Sequence, residues 1–267
     1  MEKPAEYIAT AKALGPSKRM GQNFLVNSEI AERESLYGAG KTVLEIGPGL
    51  GILTKKLCAV AKKVIAVEKD SSILPIIRSE IKSKNLILIN SDFLDMPETS
   101  FRECEITISN IPYSISSKVI MFLIRMKMPA LLCLQKEFVN HMAASPGSKE
   151  YSRLSVITAL NFNMNIMMNV SSRNFYPVPK VDSSIIFLKP RTAEINSREI
   201  ELLSLIMEHK KKKIRNAIHD SREALKISKE KAFEVSEGLK EKDKRPFQMQ
   251  PHELLETVRA LDKLLIY

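Results

Sequence analysis

A buried strand that runs into a glycine turn and then a helix constrains this chain more than any other stretch. Thr42-Val43-Leu44-Glu45-Ile46 reads as a buried strand, Gly47-Pro48-Gly49-Leu50-Gly51 follows, and Ile52 to Val60 has helical character. Glycines at alternate positions let a ligand approach the backbone closely at the carboxyl end of a strand. A dinucleotide fingerprint spaces its glycines G-x-G-x-x-G, so the tighter G-x-G-x-G here argues against NAD and against a bound pyrophosphate. A purely structural turn is the competing reading of this stretch taken alone.

The neighbouring strand ends narrow the choice. Val64-Ile65-Ala66-Val67 ends in Glu68, with Asp70 two residues on. An acidic residue about 20 positions after a glycine turn is placed to bind ribose hydroxyls, because both lie at carboxyl ends of adjacent parallel strands. Leu86-Ile87-Leu88-Ile89 leads to Ser91-Asp92-Phe93, where Asp92 can accept from an adenine amine and Phe93 can line the ring. Each end could be a solvated strand terminus, but together they describe a pocket for an adenosine-bearing small molecule without phosphates.

Asn110-Ile111-Pro112-Tyr113 follows the alternating run Glu105-Ile106-Thr107-Ile108-Ser109 and supplies chemistry of a different kind. An exocyclic amine on a flat base is a poor nucleophile, because its lone pair is delocalised into the ring. The Asn110 side-chain oxygen and the Ile111 carbonyl can each accept one N–H and draw such an amine toward tetrahedral geometry. Pro112 biases Ile111 toward extended dihedrals, and Tyr113 offers a stacking face. An ordinary strand-to-turn junction is the bland alternative.

The rest of the chain fills in around these stretches. Pro4 to Leu14 has helical spacing and stops at Gly15-Pro16, before the basic pair Lys18-Arg19. Gly21-Gln22-Asn23-Phe24-Leu25 reads as a loop folded over something, with Asn27 or Ser28 as the next N-cap. Ser114 to Arg125 is an amphipathic helix and Ala130 to Leu134 a buried strand, which completes the β-α alternation of a doubly wound α/β sheet. Tyr151 to Leu154 reads as a basic-aromatic loop on the substrate side, and Met164, Met167 and Met168 as core filling. Phe175 to Ser183 is stiffened by two prolines before the strand Ile185 to Leu188, so Phe175 can be held as the second face of an aromatic sandwich around a base. A plain linker with a buried Phe competes with that.

Near Lys189-Pro190-Arg191-Thr192 strand-helix alternation gives way to helices alone, which sets an expected division into residues 1–192 and 193–267. The second part is read as helical, with one helix through Leu202, Leu203, Leu205 and Ile206, another carrying Lys210-Lys211-Lys212-Lys213-Ile214-Arg215, and a last from Pro251 to Leu265. That lysine block, in a chain of net charge +10, suggests a polyanionic partner. A solvated helix face is the plainer reading of the block. No apolar run approaches the roughly 20 residues that span a bilayer, and no signal-peptide block opens the chain, so a cytoplasmic location and no membrane partner are expected. Cys58, Cys104 and Cys133 are scattered singly without a nearby histidine and are read as buried thiols with no metal.

With these stretches assembled, the chain resembles the rRNA adenine N6,N6-dimethyltransferase family over nearly its full length. The matching stretches are Gly21 to Leu25, Glu45 to Gly51, Glu68, Ser91 to Phe93, Asn110 to Tyr113, Phe175 to Ser183 and Lys212 to Asn216. The resemblance implies a Rossmann-like methyltransferase sheet that uses S-adenosyl-L-methionine, with a small all-helical C-terminal domain. It implies that Asn23, Leu25, Gly47, Glu68, Asp92 and Asn110 contact the methyl donor, and that Asn110, Pro112, Tyr113 and Phe175 hold the target adenine. It further implies small-subunit rRNA in a pre-ribosomal particle as partner, with Lys210, Lys211, Lys212, Lys213 and Arg215 on the RNA and a monomeric enzyme. Ser114 departs from the Asn often found after this Tyr, and the stretch before Thr42 is short for the family. A large-subunit enzyme of the antibiotic-resistance type shares Asn-Ile-Pro-Tyr, although Gly47 to Leu50, Arg245-Pro246 and Pro251 to Leu254 look more like the small-subunit enzyme. A non-catalytic RNA-binding factor on the same fold is the alternative from another class.

Overall fold

The structure, a computed structural model, describes residues 4–17, 20–191 and 195–266. Lys18-Arg19 and the expected division between 192 and 193 lie outside the described residues. In chain order the first elements are α1 (Pro4–Leu14), β1 (Phe24–Leu25), α2 (Ser28–Ser35), β2 (Thr42–Ile46), α3 (Ile52–Val60), β3 (Lys63–Glu68), α4 (Leu74–Glu80) and β4 (Leu86–Asn90). Then come β5 (Ile106–Asn110), α5 (Ser116–Met126), β6 (Ala130–Gln135), α6 (Lys136–Ala143), α7 (Arg153–Asn161), β7 (Phe162–Val170), β8 (Phe175–Tyr176) and β9 (Ser183–Pro190). Helices follow: α8 (Ser197–Glu208), α9 (Ile214–Asp220), α10 (Arg222–Leu225), α11 (Lys229–Glu237) and α12 (Pro251–Ile266). Two compact units emerge, one of the described residues up to Val139 with Asn165–Pro190, the other of Asn140–Met164 with those from Arg191 on.

The first unit is built on a sheet of order β4-β3-β2-β5-β6-β9-β7. From β4 to β6 the pairs are parallel, and β9 returns antiparallel to β6. Every residue of β2 is buried. A central parallel strand needs cover on both faces, which is why its sequence shows no alternation. Val43, Ile52, Leu53, Leu57, Val64, Ala66, Ile106 and Ile108 form the core beside it. Successive strands step away from β2 in opposite directions, to β3 and to β5, so the order reverses there. The crevice at the carboxyl ends of β2 and β5 is therefore where an open α/β sheet receives a ligand.

Local chemistry sets several boundaries. Asn27 is the α2 N-cap, its side chain accepting from the backbone of Glu29 and Ile30, as its short amide oxygen allows. Asn110 is the last residue of β5 rather than the first after it, and Tyr113–Ile115 forms a 3-10 turn before α5 opens at Ser116. The methionines expected to fill the core lie on β7 at the sheet edge, where Met167 is 44% exposed and Ile166 51%. Met164 is half-buried, and Met168 alone of the three packs against the core beside β2. An edge strand has a neighbour on one side only, so much of its surface stays in water.

The second unit is helical where α8 to α12 and α7 pack. Leu202, Leu203, Ile206, Ile214, Ala217, Ile218, Leu254, Val258 and Leu261 are buried there. Asn196 and Glu199 make a reciprocal capping box at the start of α8. Tyr151, expected in a basic-aromatic loop on the substrate side, is fully buried and donates its hydroxyl to the Met249 carbonyl at 2.9 Å. The four lysines of the block are not on a helix, whereas Ile214 and Arg215 open α9. Lys210 to Lys212 form the turn after α8, and Lys213 is the N-cap position of α9.

Candidate active site

The glycine turn after β2 takes its shape from backbone that only glycine adopts without strain. Gly47 has φ +69°, and a Cβ there would sit 3.3 Å from the Pro112 ring. Gly49 has φ +55°, and a Cβ would meet the Phe24 ring at 2.8 Å. Both side-chain-free positions face residues of the candidate site, so the close approach is used. At the end of β3, Glu68 is buried, its Oε1 accepting the Asp70 N–H at 2.8 Å and its Oε2 the Gly49 N–H at 3.3 Å. Burial holds this carboxyl above its ordinary value, opposed by those two N–H donors.

Gly21 to Leu25 closes over this turn, and it does so as more than a loop. Leu25 pairs with Phe175 and Phe24 with Tyr176 in a two-stranded sheet. The Gln22 amide donates to Asp70 Oδ2 at 2.7 Å, and Asn23 Nδ2 donates to the Gly21 carbonyl at 3.1 Å. On the next strand end, Asp92 Oδ1 accepts the Leu94 N–H and Oδ2 accepts Lys69 Nζ at 2.6 Å. The lysine bond holds the Asp92 carboxyl below its usual range. Phe93 stands edge-on to Phe122 at 4.9 Å and tilted to Phe101 at 5.4 Å, which fixes its ring.

At the end of β5, Asn110 Nδ2 donates to Glu34 Oε2 at 3.2 Å. Asn110 Oδ1 is buried and has no hydrogen-bond partner among the described residues. A buried amide oxygen without a partner is costly unless a ligand completes it. Glu34, on α2, is itself buried, and burial pushes its carboxyl up to about 8 against the bond from Asn110. Glu45 on β2 is also pushed up to about 8, by burial first and then by the Glu34 and Glu68 carboxyls. The half-buried Tyr113 shares a 2.7 Å hydrogen bond with the Ser183 hydroxyl, which anchors the ring from its polar end.

These elements enclose a cavity of about 420 Å³. Asn23, Gly47, Glu68, Asp92, Asn110, Pro112, Tyr113 and Phe175 all line it, as do Phe93 and Ile111. Leu25 does not, and its neighbour Phe24 takes that place on the wall. Phe175 is 4% exposed, so its ring serves the core and the cavity wall together. The cavity is also lined by Gln22 and Cys133, to which the sequence reading gave no role. The glycine cradle and the buried Glu68 at a strand end fit an adenosine-bearing ligand without phosphates, while the Asn110 oxygen, unpartnered among the described residues, leaves an acceptor for an N–H.

Comparison with known proteins decides the family. The family described as "Ribosomal RNA adenine dimethylase" matches residues 16–249. The chain belongs to this family. Within it, "Probable ribosomal RNA small subunit methyltransferase A" of Thermococcus kodakarensis is 36% identical over 259 residues, 94% of this chain and 91% of that one. The protein of the same name from Methanopyrus kandleri is 34% identical over 273 residues, covering 97% of both. Among solved structures, a dimethyladenosine transferase from Plasmodium falciparum superposes with a TM-score of 0.73 at 28% identity, over 89% of this chain and 97% of that one. The 23S rRNA methyltransferase ErmE has a TM-score of 0.60 at 23% identity over 90% and 100%, which shows the shared fold alone.

The dimethylase's lysine block, in the helical unit, is largely engaged. Lys212 pairs with Asp220 at 2.6 Å, while Lys213 and Arg215 both reach Asp243, at 2.9 and 3.1 Å. Lys210 Nζ donates to the carbonyls of Lys149 and Tyr151. Lys211 is exposed. Among the described residues no cluster of His, Cys, Asp and Glu could hold a metal, and no helix is long and apolar enough to cross a membrane.

Proposed function

We propose that this dimethylase transfers methyl groups from S-adenosyl-L-methionine to the N6 amine of adenosines in small-subunit rRNA, acting as a cytoplasmic monomer on a pre-ribosomal particle. The observation that carries this reading is the Asn110 oxygen, buried and without a partner among the described residues at the end of β5, in a cavity lined by Pro112, Tyr113 and Phe175. The donor, when bound, would supply an electrophilic methyl group on its sulfonium, which departs as a neutral thioether, and the proton shed by the methylated nitrogen passes to solvent. Glu68, Gly47, Asn23 and Asp92 would hold it, with Glu68 accepting from the ribose hydroxyls.

The chain's own part is to make the amine nucleophilic. Asn110 Oδ1 and the Ile111 carbonyl each accept one N–H of the target amine, turning its lone pair out of the ring. Pro112 has no N–H to compete for those acceptors and fixes the direction of the Ile111 carbonyl. Tyr113 stacks on the extruded base, its phenol held by Ser183. Because the Asn110 bond strengthens as the nitrogen turns tetrahedral, its value falls on turnover more than on RNA binding.

The test offers labelled methyl donor to unmodified small subunits, large subunits and free rRNA, and maps the methylated base. Small-subunit adenosines dimethylated at N6 are expected. Methylation confined to large subunits overturns the substrate, and no transfer to any RNA overturns the activity. In single turnover with donor saturating, Asn110→Ala should lose most of the rate while binding rRNA as before.

A further inference from the structure

We propose that Glu34 is a positioning residue for this reaction, holding the Asn110 carboxamide with its oxygen toward the target amine. The inference rests on the adenine methylation proposed above. A carboxamide is nearly symmetric in shape but not in chemistry, since one end donates and the other accepts. Nothing in Asn110 itself chooses which end faces the cavity. Glu34 chooses, because an ionised carboxylate can only accept and so takes Nδ2, at 3.2 Å. Turning the amide over would set Oδ1 against that carboxylate, oxygen to oxygen, in a buried place where the repulsion is poorly screened.

Glu34 has no other evident work. It is 1% exposed, its Oε1 has no partner among the described residues, and no described cation pairs with it. It is brought to β5 from 76 residues earlier in the chain. Burying a carboxyl without an ion pair is unfavourable, and a site that retains one uses it. The titratable groups facing it are Glu45 from β2 and the Cys133 thiol from β6. Burial keeps the thiol protonated well above its ordinary range, so it adds no charge near pH 8.

The protonation of Glu34 then becomes visible in the rate. A neutral acid can donate its O–H to Oδ1 and so permits the unproductive orientation, whereas the carboxylate forbids it. With the group pushed up to about 8, ionisation completes only on the alkaline side of neutrality.

Single-turnover methylation at saturating donor, measured from below to above pH 8, compares wild type with Glu34→Leu and Glu34→Gln. Glu34→Leu should lose on the order of 10²-fold in rate, with donor affinity near wild type as the check that the pocket is folded. Glu34→Gln, which like the neutral acid can accept from Nδ2 or donate to Oδ1, should recover only the rate that wild type shows below pH 8 and should flatten the rise with pH. A second measurement needs no turnover: the Asn110 side-chain amide protons, identified in the NMR spectrum by their loss in Asn110→Ala, should titrate in wild type and not in Glu34→Gln. Equal rates in wild type and Glu34→Leu, or Asn110 signals that ignore pH, overturn the positioning role while leaving the methylation intact. A wild type that transfers no methyl group to any RNA overturns the activity instead, and the NMR titration still decides what Glu34 does to Asn110.

Discussion

Gln22 donates its side-chain amide to Asp70 at 2.7 Å, tying the segment that covers the glycine turn to the chain just past β3. Burial alone would raise the Asp70 carboxyl, but its bonds from Ser72 and Gln22 outweigh that and hold it lowered. Gln22, Asn23 and Phe24 all line the cavity, so the bond fixes one wall of the site proposed for the donor. Gln22→Ala should weaken donor binding by about 1 kcal/mol, the ordinary net worth of one such bond. Calorimetry with S-adenosylmethionine checks this, and an unchanged dissociation constant would detach the segment from donor binding.

Glu68→Ala should cost more, because it removes the carboxyl proposed to accept from the donor's ribose and strands the Gly49 and Asp70 N–H groups that it accepts from. The expected loss of donor affinity is on the order of 1.5–3 kcal/mol. Circular dichroism of the variant should match wild type, since the β3 backbone ladder does not involve the side chain. Full donor affinity in the folded variant would remove Glu68 from the site.

The sheet and its strand-end residues were legible because their signals are local. A short β-prone run followed by closely spaced glycines reads the same in the chain as in the fold, and so does Asn-Ile-Pro-Tyr after an alternating run. Glu34 was not legible. In Ala31-Glu32-Arg33-Glu34-Ser35 it looks like one charge on a solvated helix face, and only the packing of α2 beside β5 shows it to be buried. The lysine block misled for a related reason. Lysine is a good helix former, but that preference is a fraction of a kcal/mol per residue. Here the Lys210 carbonyl accepts from Phe247 N–H and Ile214 N–H donates to Lys244, bonds across the unit that hold a turn. The methionines of β7 were misread because an edge position is a property of the whole sheet.

Stability should fall as pH rises, through Glu34 and Glu45. Both carboxyls are raised from 4.5 to about 8, so between those values the folded state binds more protons than the unfolded chain. The stabilisation is complete below the unfolded value and is lost as pH climbs through the folded one. The unfolding free energy from urea titrations should therefore decline between about pH 5 and 8, by up to a few kcal/mol for the two together. Glu45→Gln, neutral at every pH, should make that decline shallower. An identical slope in the variant would mean that Glu45 does not titrate as its surroundings dictate.

The lysine block should divide into residues that hold the helical unit and residues that meet RNA. Lys210 spends its ammonium on two backbone carbonyls, so Lys210→Ala should lower stability before it touches RNA affinity. Lys211, exposed, is free to meet a phosphate directly, whereas Lys212, Lys213 and Arg215 must first exchange Asp220 or Asp243 for one. Exposed pairs of this kind are worth at most about 1 kcal/mol, so the exchange is cheap. Neutralising Lys211, Lys212 and Lys213 together should flatten the salt dependence of rRNA binding by up to about 0.7–0.9 log unit per lost phosphate contact. Asp243→Asn should act in the opposite direction, because it releases Lys213 and Arg215 from their shared partner and leaves them to the RNA. Donor affinity should stay constant in both. A triple variant with the wild-type salt slope, together with an Asp243→Asn protein that binds rRNA no more tightly, would leave the block as a solvated turn.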